Sequence, residues 1–140
     1  MNVEQMTHEG ILYAIIIRNG EVAPGVHFFT PDANPLQVGQ QLRVKGTVIK
    51  PHAHCEVRID RTGFLQEVLY IQQGRLKTVF YSDEGKRISE RNLGTGDTIV
   101  LIRAGMGLKL WTMCACWKSK WGRMIRPVKR PSRKSNDPRL

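Results

Sequence analysis

The stretch Gly46-Thr47-Val48-Ile49-Lys50-Pro51-His52-Ala53-His54, continued after twelve residues by Glu67-Val68-Leu69-Tyr70-Ile71-Gln72-Gln73-Gly74, carries most of the chemical information in the chain. In an extended strand, residues two apart point to the same face, with Cα atoms about 7 Å apart. His52 and His54 are therefore expected to project together, close enough to converge on one ion. Glu67 opens the next strongly apolar run and can supply a carboxylate from a neighbouring strand. Two histidines and one carboxylate with open positions form the facial set used for Fe(II), and the set also suits Mn, Ni, Co or Zn. Taken singly, the same residues have plainer readings. An H-x-H pair in a basic loop is usually two surface histidines, and a glutamate before a buried strand is usually a solvated strand end. The glycines at both ends of the stretch shift the weight, because Gly46 permits a bend into it and Gly74 a turn out of it.

Outward from this stretch the apolar pattern is that of short strands. Residues 10–18 are β-branched and aromatic and end at Asn19-Gly20. Residues 22–29, 41–50, 66–73, 75–81, 86–93 and 98–102 follow as further strand candidates, separated by a loop at Pro31–Pro35 and by turn signals at Asp83-Glu84-Gly85 and Gly94-Thr95-Gly96-Asp97. Strands of this length broken by Gly, Pro and Asp predict an all-β antiparallel sandwich or barrel. No long stretch has the 3.6-residue period of a helix.

Composition narrows the classes. A chain of 140 residues supports one domain with one core. The net charge of +10 invites a nucleic-acid reading. Its distribution argues otherwise: residues 1–102 balance eleven Lys and Arg with eleven acids, whereas residues 103–140 hold eleven Lys and Arg and one acid, Asp137. The longest apolar run, Ile11 to Ile17, is seven residues, against the roughly 20 that a spanning helix needs. No signal peptide is expected either, since Glu4 and Glu9 precede that run, and a cytoplasmic setting is the default expectation. Three cysteines give no even disulfide framework, and Cys114-Ala115-Cys116 lacks the second pair of a zinc site. Cys55 follows the histidines without a group placed to activate it.

The spacing G-x5-H-x-H, a gap, then E-x6-G resembles the first motif of the cupin superfamily, matched by Gly46, His52, His54, Glu67 and Gly74. The gap of twelve residues is longer than the family's usual three or four. The resemblance extends over residues 10–103, through Phe29-Thr30-Pro31, Pro35-Leu36-Gln37-Val38-Gly39, Arg61-Thr62, Gln66–Ile71 and Gly96-Asp97, and points to small single-domain bacterial cupins associated with polysaccharide or lipopolysaccharide biosynthesis. It implies a jelly-roll barrel with a divalent transition metal at the mouth, held by His52, His54 and Glu67. Arg43, Arg58, Arg61, Gln66 and Tyr70 become candidates for contacts to a small carbohydrate-like or oxo-acid ligand. The family also pairs through sheet edges, which makes a homodimer an expectation. The resemblance names no reaction, since cupins include both enzymes and non-catalytic binders.

The chain departs from the family after the strand at 98–102. A Gly-Gly-His-Gly turn is expected there, and Ala104-Gly105-Met106-Gly107 stands in its place. A thioether is a soft ligand, suited to Cu(I) and poor for Fe(II) or Mn(II). One reading is a genuinely altered three-ligand site, and the other is an out-of-frame translation of the segment. If each original codon joins the last base of one present codon to the first two of the next, Met106 becomes histidine when the Gly105 codon ends in C. Met106-Gly107, Trp117-Lys118 and Trp121-Gly122 then force Gly, Glu and Gly at family positions. The coding sequence at codon 105 tests this directly. The expected organisation is an N-terminal segment 1–9, a cupin barrel 10–103, a divergent apolar segment 104–125 in place of the last barrel strands, and a basic disordered tail 126–140. That tail, rich in Arg, Lys and Pro, is suited only to nonspecific phosphate binding.

Overall fold

The computed structural model describes residues 2–51, 64, 66–103 and 105–120, the side chains of 117–120 excepted. His52, His54, Cys55, Arg58, Arg61 and the tail 126–140 lie outside the described residues. Within them the fold is all-β, with antiparallel sheets and no helix. The strands are β1 (Val3–His8), β2 (Ile11–Ile17), β3 (Gly25–Phe28), β4 (Gly39–Leu42), β5 (Glu67–Gln73), β6 (Arg75–Tyr81), β7 (Arg87–Gly94), β8 (Thr98–Leu101), β9 (Gly105–Leu110) and β10 (Ala115–Lys120). They form a five-stranded sheet in the order β1-β2-β8-β5-β10, a three-stranded sheet β7-β6-β9 and a β3-β4 ribbon. No sheet closes on itself among the described residues.

The sequence explains the placement of the central strands. Five of the seven residues of Ile11–Ile17 are β-branched or aromatic, and Ala14, Ile15 and Ile16 are fully buried. The register aligns Ile16 with Ile99 of β8, and Ile99 with Leu69 of β5. These three residues face inward with Met6, Ala14, Ile71 and Leu101. The inner face of the three-stranded sheet brings Leu76, Phe80 and Leu93 to the same apolar cluster. Alternation places Ile15 and Val100, which are Cα partners, on the opposite face, where both are also fully buried. A strand buried on both faces reads as a continuous apolar run, which is the pattern of β2 and β8.

Three turns fix the connections. Asp97 is buried, and its carboxylate accepts hydrogen bonds from the backbone N–H of Asn19 at 2.9 Å, the N–H of Gly94 at 3.0 Å and the Arg18 guanidinium at 3.1 Å. Gly96, at φ +89°, packs so closely on Asn19 that a Cβ there would overlap that side chain. At the β5–β6 corner Gly74 has φ +103°, and a Cβ would lie 2.5 Å from the Met113 carbonyl oxygen. The β6–β7 hairpin closes with Gly85 N–H donating to Ser82 O at 2.9 Å.

Two strand expectations shorten. Residues 22–29 yield β3 only over Gly25–Phe28, and residues 41–50 contribute to β4 only as far as Leu42. Beyond Leu42 the chain turns: Thr47 N–H donates to Val44 O at 3.2 Å and Gly46 takes φ +88°. Val44 and Val48 are more than four-fifths exposed. Their alternation has no apolar surface to bury against among the described residues, and a left-handed glycine ends the extended run. The 104–125 segment does carry strands. β9 pairs along β6 and β10 along β5, so their apolar character is enough for sheet pairing.

Candidate functional site

Glu67 opens β5 on its inner face, in step with Leu69 and Ile71. It is 8% exposed and is the Cα partner of Leu101 in β8 and of Lys120 in β10. Across the sheet its row continues through Leu101 to Ala14 and Met6, all apolar and buried. In register the carboxylate thus stands between this apolar run and Lys120 of β10. Buried polar groups are normally partnered, and Glu67 is not without an interaction.

Two further buried polar side chains have an atom without a hydrogen-bond partner among the described residues. Gln66, just before Glu67, has its Oε1 without a hydrogen-bond partner among the described residues. Thr78 projects from the inner face of β6, fully buried, with Oγ1 likewise without a partner there. Buried acceptors and hydroxyls are normally paired, so these atoms mark polar positions within an apolar interior.

The other predicted ligand contacts are spread out. Tyr70, three residues beyond Glu67, falls on the opposite face of β5 and is 41% exposed. Arg43 is exposed beyond β4, and its Nε donates to Gln41 Oε1 at 2.9 Å. Of the sequence-predicted residues, the described structure therefore buries Glu67 and its chain neighbour Gln66 and leaves Tyr70 and Arg43 exposed. Gly46 and Gly74, expected to bend and to turn the chain, have positive φ of +88° and +103°.

Met106 lies on β9 opposite Phe80 and packs against the apolar cluster. Its thioether serves the core as a hydrophobe. The hard oxygen donor Glu67 suits a divalent transition ion. The described residues hold no group of three or more His, Cys, Asp or Glu side chains close enough to bind an ion by themselves.

One arrangement was not foreseen from the sequence. Cys114 Sγ and Cys116 Sγ lie 3.2 Å apart, in hydrogen-bond contact. Cys114 is half-buried and packs on the apolar cluster, while Cys116 is exposed. Desolvation, then the hydrogen bond with Cys114, pushes the Cys116 thiol up to about 11. The C-x-C spacing was the available signal. A regular strand would hold the two sulfurs well apart, but Cys114 precedes β10 and the β10–β5 ladder breaks register between Ala115 and Cys116. A further network joins Arg18 to Asp97 and Arg91 to Glu4 at 2.5 Å, tying β1, β2 and β7 together at their polar ends. No helix among the described residues is long and apolar enough to cross a membrane. Set against family models, curated proteins and solved structures, the chain matches none of them.

Proposed function

We propose that this chain is a metal-binding domain of cupin type that binds, or acts on, a small carbohydrate-like or oxo-acid ligand. In this reading the two packed sheets are the walls of a jelly-roll barrel. His52, His54 and Glu67 hold a divalent transition ion: Fe, Mn, Zn, Ni or Co. A cytoplasmic setting and edge-to-edge pairing of two copies belong to the same reading. The supporting observation is Glu67, a buried carboxylate beside an apolar row on an inner sheet face, followed by Gly74 at the E-x6-G spacing and preceded, after a gap longer than the family's, by His52 and His54.

When bound, the ion supplies Lewis-acid polarisation of a ligand carbonyl or hydroxyl. The chain's own residues then position the ligand. The Gln66 Oε1 is available to accept a hydrogen bond from a ligand hydroxyl, and the Thr78 hydroxyl can donate or accept one. The inner-face apolar residues exclude water around them.

A binding role without turnover is the second reading, and Met106 favours it. Where the family places an imidazole this chain packs a thioether against the core, so the ligand set is reduced by one. Elemental analysis of the purified full chain, of a His52→Ala/His54→Ala variant and of Glu67→Gln tests the site. Near-stoichiometric metal is expected in the parent and a loss of at least tenfold in the double variant. Equal metal content in all three proteins removes the proposed centre. Screening sugar nucleotides for turnover against simple binding separates the two readings.

A further inference from the structure

We propose that Cys114 and Cys116 form a dithiol that a low-molecular-weight disulfide, such as glutathione disulfide, converts to an intramolecular disulfide. The geometry carries this independently of the metal site. The sulfurs are already 3.2 Å apart, so bonding at about 2.05 Å requires an approach of about 1 Å. The contact exists because the ladder is irregular where β10 begins. In a regular strand, Cα atoms two residues apart lie at the upper limit of disulfide reach. Here Cys114 stands outside β10, and Cys116 is the Cα partner of Ile71 within it.

Exposure gives the two sulfurs different roles. Cys116 is exposed and open to a small oxidant, whereas Cys114 is half-buried beside it. Cys116 loses its proton to solvent, and its thiolate attacks one sulfur of glutathione disulfide. An S–S bond forms between Cys116 and one glutathione, and the first glutathione leaves as a thiolate that takes up a proton. Cys114, deprotonated in turn, attacks the Cys116 sulfur and expels the second glutathione, which is protonated likewise. The protein loses two electrons and two protons, and one glutathione disulfide becomes two glutathione thiols. The high thiol pKa of Cys116 makes the first step slow at neutral pH, and its thiolate fraction rises about tenfold per pH unit on the acid side of that value.

The full chain is incubated with glutathione disulfide at several pH values, quenched with a thiol-alkylating reagent and digested with trypsin without reduction. Both cysteines remain on the peptide spanning residues 110–118. The expected product is that peptide lacking two hydrogens and unalkylated at both cysteines, formed faster as pH rises. It should appear equally in a Cys55→Ser variant. In Cys114→Ser the reaction should stop at a glutathione mixed disulfide on Cys116. The proposal is overturned if the parent chain itself stops at the mixed disulfide. It is equally overturned if both cysteines stay alkylatable, or if either is found bonded to Cys55 or to a second chain.

Discussion

β8 and β9 are both short apolar strands, yet their side chains have opposite fates. In β8, Ile99, Val100 and Leu101 are all buried. In β9 and the turn after it, Leu108, Leu110 and Trp111 are about half exposed, and Met113 is 90% exposed. The difference is position. β8 lies between β2 and β5 and is covered on both faces, whereas β9 pairs only with β6 at a sheet edge among the described residues. Apolar character suffices to recruit a segment to a sheet. Burial requires that the opposing surface also be apolar and shaped to receive it.

This contrast can be broken by substitution. The largest effect is expected at the centre: Ile99→Ala removes a fully buried side chain and should cost about 3–4 kcal/mol in denaturant unfolding. Gly74→Ala is expected to cost about 2 kcal/mol, because it strains a left-handed residue and drives a Cβ into the Met113 carbonyl. That result would show that the C-terminal segment is firmly docked at the β5–β6 corner, and a neutral result would show that it yields. Leu110→Ala should change stability by less than about 0.5 kcal/mol. A loss there as large as at Ile99 would erase the distinction between the two strands.

The smallest effect concerns pH. Folding raises the Cys116 thiol pKa to about 11, so the fold favours the protonated form. Its contribution is complete below the ordinary thiol value and is lost as pH rises toward 11. Stability measured from pH 8 to 11 should therefore decline slightly in the parent chain and less in Cys116→Ser. An identical decline in both would place the titration elsewhere.

Much of the strand order was legible because apolar alternation and turn residues reinforce each other. Residues 66–73, 75–81, 86–93 and 98–102 match observed strands to within a residue or so, and Gly85 and Gly96 occupy turns that need a left-handed residue. β1 was not legible. Val3–His8 alternates poorly and has one buried side chain, Met6, so its strand character comes from its partner β2. Residues 43–50 failed in the other direction, since local alternation at Val44 and Val48 carries no information about whether a surface exists to cover them. Glu67 was singled out in the sequence as the opening of an apolar strand, and its inward face follows from strand parity with Leu69 and Ile71. Thr78 and the cysteine pair were not, because each depends on a tertiary approach: a facing sheet for Thr78 and a broken register for the thiols.

The pairing of Ile16 with Ile99 also governs how the chain must be assembled. The partner of β2 on its β8 side is made more than eighty residues later, after β5, β6 and β7. During synthesis the isoleucine-rich strand can pair early with β1 but keeps its other edge open until β8 emerges. Such an edge, strongly β-forming and uncharged from Ile11 to Ile17, is a template for association between nascent chains. The same strand that anchors the finished core is therefore the point at which premature termination before residue 98 would turn a folding chain into an aggregating one.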